Sequence, residues 1–168
     1  INDLLDVARF EAGQIRMEFS AVDVRKVTEE VLHELKTLAD ERNITLRWEG
    51  KEALPLVRAD KLRFKQLCIN LVSNAIKYNR EGGSVRLWAS VEGPKLHLAV
   101  ADNGLGISAE NQKHLFEKFF SSESVSHLKG TGLGLFITRE FIRAMGGDIT
   151  AESKEGVGTV FTVTLLLT

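Results

Sequence analysis

The feature that most constrains the fold is a pair of strand hairpins, each preceded by a helical pattern. Residues 84–92 and 95–101 alternate apolar and polar side chains, and the Gly-Pro pair between them is typical of a turn. A second alternating pair, "DITAES" and "GTVFTVTLLL", closes the chain. A sheet with one apolar face needs a cover, which amphipathic helices supply. We therefore predict an α+β fold, a two-layer α/β sandwich whose mixed sheet carries helices on one face.

Helical periodicity predicts where the covering helices lie. A helix capped by Asp23 is expected over residues 24–38, with an inward apolar stripe that ends at Leu38. A second helix is expected over residues 60–78, and a third within "LGLFITREFIRAMGG". The alternating segments "QIRMEF" and "ITLRWE" predict two further strands. Residues 103–133 are too long for an ordinary connection and indicate a functional loop.

Length and composition limit the classes of function. The chain has 168 residues, which fits one compact domain with a short appendage. Its formal net charge is −1, so nothing in the charge balance favours nucleic acid as a partner. The chain has one cysteine, which excludes an internal disulfide framework. It has no run of about 18 apolar residues, so no membrane span is predicted. A cytoplasmic location is expected for this part of the protein, whether or not the parent is anchored in a membrane.

The segment "DKLRFKQLCINLVSNAIKY" carries polar residues at helical spacing. Asn70 and Asn74 are four residues apart, so both amides lie on one helix face. A neutral amide oxygen is a hard ligand that can help to hold Mg²⁺ among phosphate oxygens, and Lys77 is placed to pair with a phosphate. The segment resembles the N box of sensor histidine kinases, whose ATP-binding domains have the Bergerat fold. The alternative to this binding role is that the two asparagines only form hydrogen bonds with loops of the protein.

The segment "VADNGLGI" places an aspartate and two glycines after a predicted strand. Glycine lets the backbone come close to a flat ring, so Gly104 and Gly106 fit a nucleotide pocket beside Asp102. The segment resembles the first glycine box of the same family, which implies that Asp102 accepts a hydrogen bond from the adenine amino group. "GLGISA" also matches a dinucleotide-binding fingerprint, but that motif requires a second parallel strand, and no strand pattern follows.

The segments "FEKFF" and "GTGLGL" flank a serine-rich stretch. They resemble the F box and the second glycine box, so the stretch between them resembles the ATP lid of the family. Glycines before a helix can present backbone N–H groups to phosphates, whereas the P-loop pattern with its lysine is absent. The phenylalanines are expected to anchor the lid on the core, and direct stacking on the nucleotide is the alternative. "GVGTVF" resembles a third glycine element in which Thr159 lies near adenine, and a simple hairpin turn is the alternative.

These segments, in this order, resemble the catalytic ATP-binding domain of a sensor histidine kinase over essentially the whole chain. The resemblance implies that Asn74 and Lys77 are catalytic and that Asn74 holds Mg²⁺. The residues that it implies in binding ATP are Asn70, Asn74, Lys77, Tyr78, Asp102, Gly104, Gly106, Gly130, Thr131, Gly132, Leu133, Gly134, Leu135 and Thr159.

The resemblance also implies an activity, protein-histidine kinase, that transfers the γ-phosphoryl group of ATP to a histidine outside this chain. Residues 1–13 resemble the end of the second helix of a dimerisation and phosphotransfer domain, and residues 14–168 resemble the catalytic domain. The implied partners are that phosphotransfer domain, the receiver domain of a response regulator, and a second copy of the parent protein.

Two other functions are compatible with the same motifs. One is an ATP-hydrolysing conformational clamp, and the other is a nucleotide-sensing module without catalysis. The clamp branches of the superfamily carry a glutamate that activates water where this chain has Asn70, which cannot act as a general base. Asn70 therefore favours the kinase.

The segment "HELKT", which begins at His33, resembles the phospho-accepting histidine motif of the same family. At about 100° per residue, His33 lies roughly 200° around the predicted helix from Val31, so it is expected to point to solvent. Leu38 also stands where that motif has proline. The phospho-accepting histidine of the family lies on the preceding helix of the phosphotransfer domain, so we interpret His33 as a surface residue.

Overall fold

The computed structural model describes residues 3–51, 53–120 and 132–168. Helices and strands alternate along these ranges instead of separating into halves. The helices are α1 (Asp3–Glu11), α2 (Val24–Glu34), α3 (Lys36–Asp40), α4 (Lys61–Lys77), α5 (Ala109–Gln112) and α6 (Gly134–Ala144). The strands are β1 (Phe19–Val22), β2 (Thr45–Trp48), β3 (Val57–Asp60), β4 (Ser84–Glu92), β5 (Lys95–Asp102), β6 (Asp148–Lys154) and β7 (Gly158–Leu166).

Five strands form a mixed sheet in the order β2-β4-β5-β7-β6. β2 runs parallel to β4, and each of the other neighbouring pairs is antiparallel. The two predicted hairpins are β4–β5 and β6–β7, and the pairing of β5 with β7 joins them, with Val100 opposite Phe161. A separate two-stranded sheet pairs β1 with β3. Both hairpin predictions are confirmed.

The core lies between one face of the five-stranded sheet and helices α2, α4 and α6. Alternation along the strands decides which side chains enter it. Leu96 and Leu98 of β5 and Val163 of β7 are fully buried. Thr162, the residue before Val163, points to the other face and is partly exposed. This apolar face needs the helical cover, because burying one such side chain stabilises the fold by about 1.5–3 kcal/mol. The predicted α+β sandwich with helices on one face is confirmed.

Helix α4 is the central element of the helical layer, since it packs against α2, α6 and the sheet. It begins where the side chain of Asp60 accepts a hydrogen bond from the backbone N–H of Arg63 at 3.1 Å. This cap satisfies one of the free N–H groups of the first turn. The buried residues of α4 recur at helical spacing: Phe64, Leu67, Cys68, Leu71, Val72, Ala75 and Ile76.

The C-terminus of α4 is held by Arg42, which follows α3. Its guanidinium donates hydrogen bonds to the carbonyl oxygens of Ile76 and of Lys77, the latter at 2.7 Å. Its Nη2 also lies 2.5 Å from the carbonyl oxygen of Asn79. The last carbonyls of a helix have no partner within the helix, and a cation there also complements the helix dipole. Arg42 therefore fixes the point at which the chain leaves α4.

Helix α1 packs on the surface of α6. The ring centroids of Phe10 and Phe141 lie 4.9 Å apart, and the guanidinium of Arg63 lies over the ring of Phe141. Asp6 is buried on the same side, with Oδ1 3.8 Å from Nη1 of Arg63. A bilayer-crossing helix, which needs about 20 apolar residues, is not found in the described part of the chain.

Two predictions of local structure were wrong. In "QIRMEF", Ile15 and Met17 pack against the core outside any strand, and β1 begins only at Phe19. The predicted helix over residues 24–38 is broken at Leu35, which has φ −94° and ψ 2°. The break rotates the following turn, so that Leu38 is 40% exposed while its neighbour Ala39 is buried.

Two elements were not predicted. β3 has four residues and leads directly into α4, so it is too short for an alternation to stand out from the helical pattern that follows it. Within the predicted loop, Ala109–Gln112 form the short helix α5, capped by the side chain of Ser108.

Replacement of Arg42 tests the hold on α4. We expect Arg42→Met to lower the free energy of unfolding by about 2 kcal/mol, because three carbonyl oxygens lose a charged donor. Urea unfolding measures this difference. Arg47→Met removes an exposed ion pair with Glu49 and should change stability by less than about 0.5 kcal/mol. Equal effects of the two changes would contradict the role given to Arg42.

Candidate functional site

The middle of α4 faces the start of α6. Asn70 lies on the partly exposed side of α4, and its Nδ2 donates to the carbonyl oxygen of Gly134, the first residue of α6, at 3.4 Å. A Cβ atom added at Gly134 would lie 3.6 Å from that nitrogen, so the two helices approach closely here. Asn74 follows one turn later and is also partly exposed. The two amides share one helix face, as the spacing predicts.

The end of α4 carries Lys77 and Tyr78. Nζ of Lys77 lies 5.8 Å from the centroid of the Tyr78 ring, and burial raises the pKa of the Tyr78 hydroxyl. The carbonyl oxygen of Tyr78 accepts a hydrogen bond from the backbone N–H of Leu105 at 3.1 Å. The end of α4 is thus joined to the loop that follows Asp102.

Asp102 is the last residue of β5 and pairs with Thr159 of β7. Burial raises the pKa of its carboxyl from 3.8 to about 6, and backbone N–H groups of Gly104 and Thr159 oppose part of this shift. The Gly104 N–H donates to Oδ1 at 2.9 Å. A carboxylate held at the end of a strand, desolvated and supported by backbone donors, is suited to accept a hydrogen bond from a ligand.

The glycines after Asp102 are required by the chain itself. A Cβ atom at Gly104 would lie 2.6 Å from the carbonyl oxygen of Tyr78. Gly106 has φ +68°, and a Cβ atom there would lie 2.1 Å from the carbonyl oxygen of Lys154. Each glycine therefore lets two segments of backbone pack together, which is a reason for glycine besides the close approach of a flat ring that the sequence predicts.

The segment before α6 is described from Gly132 onward. Gly132 has φ +73° and lies against the backbone of Phe119, whose N–H donates to the Gly132 carbonyl oxygen at 2.9 Å. Leu133 is fully buried, Gly134 begins α6, and Leu135 packs against the core. Gly130 and Thr131, which the resemblance also implied, lie outside the described residues.

The three phenylalanines of "FEKFF" differ in their packing. Phe116 and Phe120 pack against the core, and Phe116 lies edge-on to Phe161 with ring centroids 6.4 Å apart. Phe119 is 62% exposed and has φ +62°, a conformation that is rare for a bulky residue. The expectation that these residues anchor the segment therefore holds for two of them.

Two further residues join the segments around Asp102 and were not predicted. The hydroxyl of Ser153 lies 2.8 Å from the hydroxyl of Thr159 and accepts a hydrogen bond from the N–H of Ile107 at 2.8 Å. Arg80 donates to carbonyl oxygens of two loops. Ser153 ends the alternating segment "DITAES", but alternation predicts only the strand and not these hydrogen bonds. Arg80 belongs to no periodic pattern, and its position two residues after Tyr78 was the only signal available.

His33 lies on α2 and is exposed, as predicted from the helical period. It lies on α2, outside the segments around Asn70 and Asp102 described above.

A family model described as the histidine kinase-, DNA gyrase B- and HSP90-like ATPase matches residues 59–168. The chain belongs to this family. Within it, the chain is similar to histidine kinases: the sensor protein EvgS of Escherichia coli strain K12 is 32% identical over 98% of this chain. The chain spans 14% of the length of EvgS.

Solved structures of histidine kinases have the same fold. The catalytic domain of the histidine kinase ThkA superposes with a TM-score of 0.79 at 32% identity, covering 90% of this chain and 99% of that domain. Full-length ShkA in complex with AMPPNP superposes with a TM-score of 0.88 at 30% identity, covering 99% of this chain and 35% of ShkA. ThkA has also been solved in complex with the response regulator protein TrrA. By sequence and fold, this chain is a histidine kinase ATP-binding catalytic domain.

The pKa of Asp102 can be tested without any ligand. Because its folded pKa lies above the ordinary 3.8, the folded state binds the extra proton between pH 3.8 and about 6. The contribution of the Asp102 carboxyl to the free energy of unfolding is therefore fully present below pH 3.8 and is lost as the pH rises to about 6. We expect the Asp102 carboxyl to titrate near pH 6 in a carbon-detected NMR experiment.

Stability measurements give a second readout of the same group. The difference in the free energy of unfolding, wild type minus Asp102→Asn, should fall as the pH rises from about 4 to about 6. Above about pH 6 this difference should stay constant. A difference that does not change with pH, or a carboxyl that titrates at its ordinary value, would contradict the assignment.

Proposed function

We propose that this chain delivers the γ-phosphoryl group of ATP to a histidine of a phosphotransfer domain, as the catalytic part of a two-component sensor histidine kinase. Two observations at opposite ends of one helix segment support this. Asn70 faces the N-terminus of α6, a position that suits phosphates. Tyr78 joins the loop after the half-buried Asp102, whose carboxyl suits a nucleobase. The similarity to ShkA, solved with AMPPNP, agrees with a site for ATP.

The adenine end of the proposed site is built around Asp102. Its carboxylate accepts a hydrogen bond from the exocyclic amino group of adenine, a donor that guanine does not present at that position. Thr159 pairs with Asp102 across the strands and completes the polar wall. Tyr78, Gly104 and Gly106 form the adjoining backbone and ring surface.

The phosphate end is built around Lys77 and the start of α6. Lys77 pairs with phosphate oxygens, and backbone N–H groups at the N-terminus of α6 donate to them. The residues of this segment are Gly132, Leu133, Gly134 and Leu135. Gly130 and Thr131 extend this segment in the sequence. Phosphoryl transfer depends mainly on positioning and charge neutralisation, which these groups supply.

The donor set fits Mg²⁺. Asn74, with Asn70 beside it, offers neutral amide oxygens, the hard ligands that this ion takes together with phosphate oxygens. When bound, Mg²⁺ neutralises charge on the β- and γ-phosphates. Asn74 would hold the ion on the face of α4 that Asn70 shares.

The reaction is an in-line transfer. A lone pair of the accepting imidazole attacks the γ-phosphorus, a phosphorus–nitrogen bond forms, and the bond to the bridging oxygen breaks with ADP as the leaving group. In this proposal the accepting histidine lies outside the chain. Residues 1–13 are the end of the second helix of its phosphotransfer domain, and residues 14–168 are the catalytic domain.

The proposed partners are the phosphotransfer domain, the receiver domain of a response regulator, and a second copy of the parent protein. ThkA, solved with its response regulator, supports the second of these. The proposed location of the domain is the cytoplasm, where ATP and the receiver domain are available.

Adenine recognition is tested by Asp102→Asn. We expect the dissociation constant for ATP, measured by calorimetric titration, to rise at least about tenfold, because the charged acceptor is lost. The preference for ATP over GTP should fall in parallel. Asp40→Asn, which changes an exposed ion pair on α3, is the matched control and should leave both values unchanged. An unaltered preference in Asp102→Asn would refute the adenine contact.

Phosphoryl transfer is tested with γ-labelled ATP, Mg²⁺ and the phosphotransfer domain of the parent protein added in trans. We expect acid-labile label on that domain, and equal labelling with His33→Gln. Asn74→Ala should reduce the rate by at least about 100-fold, because the Mg²⁺ ligand is lost. Gln66→Ala, which removes another amide from α4, is the control. Label on His33 would contradict the proposal.

A further inference from the structure

Arg80 bridges two loops that are distant in the sequence. Its Nη2 donates to the carbonyl oxygen of Gly104 at 3.1 Å and to that of Gly156 at 2.6 Å. Gly104 lies in the loop after Asp102, and Gly156 lies in the turn between β6 and β7. A single nitrogen atom therefore joins both loops to Arg80, which lies shortly after the end of α4 at Lys77.

The same three segments are also linked by their backbones. The N–H of Gly156 donates to the carbonyl oxygen of Leu105 at 2.7 Å, and the N–H of Leu105 donates to that of Tyr78 at 3.1 Å. With the two bonds of Arg80, these contacts form a closed ring. We refer to the two hydrogen bonds from Arg80 to Gly104 and Gly156 as the Arg80 clasp.

The backbone of Arg80 is itself held firmly. Its N–H donates to Oδ1 of Asn79 at 2.8 Å, and Asn79 is 2% exposed. The other end of the Asn79 amide donates to the carbonyl oxygen of Ser84 at 3.1 Å, and Arg42 holds the Asn79 carbonyl oxygen. The long side chain of Arg80 thus starts from a fixed point, which limits where its guanidinium can reach.

The two clasped loops border Asp102 directly. The Gly104 N–H is one of the donors to the Asp102 carboxylate, at 2.9 Å. Just beyond Gly156, a Cβ atom at Gly158 would lie 2.1 Å from the Asp102 carbonyl oxygen, so this segment packs against its backbone. Two carbonyl oxygens that converge on one cation repel each other once the cation is removed. Loss of Arg80 should therefore separate the two loops beside Asp102.

We propose that Arg80 is a positioning residue for nucleotide binding, and that its clasp fixes the distance between the two loops that border the adenine-binding carboxylate. This role rests on the proposed function of Asp102. Arg80 itself is exposed, so water can replace its hydrogen bonds in the open state at little cost to the whole fold. Its removal is expected to loosen the loops without unfolding the domain.

The binding test compares Arg80→Met, Arg80→Lys and Arg47→Met in calorimetric titrations with ATP. We expect Arg80→Met to raise the dissociation constant about 3- to 10-fold, since two charge-assisted hydrogen bonds that order the site are lost. Arg80→Lys keeps a cationic donor and should restore part of the affinity. Arg47→Met removes the same charge from an exposed ion pair on β2 and should stay within about twofold of wild type.

A second readout needs no nucleotide. In Arg80→Met, amide hydrogen exchange should become at least about tenfold faster at Gly104, Leu105 and Gly156, while amides in the β4–β5 ladder keep their wild-type protection. A residue that merely stabilised the fold would change all of these amides together through a lower melting temperature. Uniform acceleration would therefore overturn the proposal, as would no acceleration at all.

The outcomes separate the clasp from the nucleotide site. If wild type and Arg80→Met bind ATP equally well, the positioning role of Arg80 is overturned and the proposed ATP site is not. An equal loss of affinity in Arg47→Met would also overturn it, by assigning the effect to net charge. Wild-type protein that does not bind ATP would overturn the proposed function, and with it the role of the clasp in binding.

Discussion

The structure depends on the burial of α4 between the five-stranded sheet and the helices on either side of it. One side of this helix is wholly apolar and is packed against β4, β5, α2 and α6. That burial fixes the rotation of the helix about its axis, and the rotation places Asn70 and Asn74 on its partly exposed side, where Asn70 contacts the first residue of α6. Arg42 then fixes the end of the same helix, where Lys77 and Tyr78 follow.

A second constraint acts on charge. The carboxylate at the end of β5 is half-buried, and desolvation disfavours its charged form and raises the pKa of Asp102. Backbone N–H groups of Gly104 and Thr159 offset part of it and hold the carboxyl in place. A group that is desolvated yet partly supported is typical of a functional site, since a fully satisfied carboxylate would have little left to offer a ligand.

The sequence predicted what local patterns encode. The β4–β5 hairpin follows from alternation around a Gly-Pro turn, and α4 follows from the apolar period that predicts a helix over residues 60–78. The break at Leu35 was not predictable from the period, because the apolar stripe continues through it and only tertiary packing chooses Ala39 over Leu38. At the candidate site, Asp102 and Asn70 stand in recognisable motifs. Asn70 lies on α4, and the end of α4 at Tyr78 is bonded to the loop that follows Asp102. Arg80 and Ser153 bond across long separations to backbone atoms, which no side-chain pattern records.

The order of the strands has a consequence for the route by which the chain folds. β4 and β5, and likewise β6 and β7, are neighbours in sequence, so each hairpin closes a short loop and can form quickly. The pairing of β5 with β7 joins the two hairpins and brings together residues further apart in the sequence than in any other pairing of this sheet, so it is expected to form slowly. Asp102 meets Thr159 only in that pairing. An intermediate with both hairpins formed would therefore lack the proposed adenine-binding wall, and a ligand that binds there would select the completed sheet and raise its apparent stability by mass action.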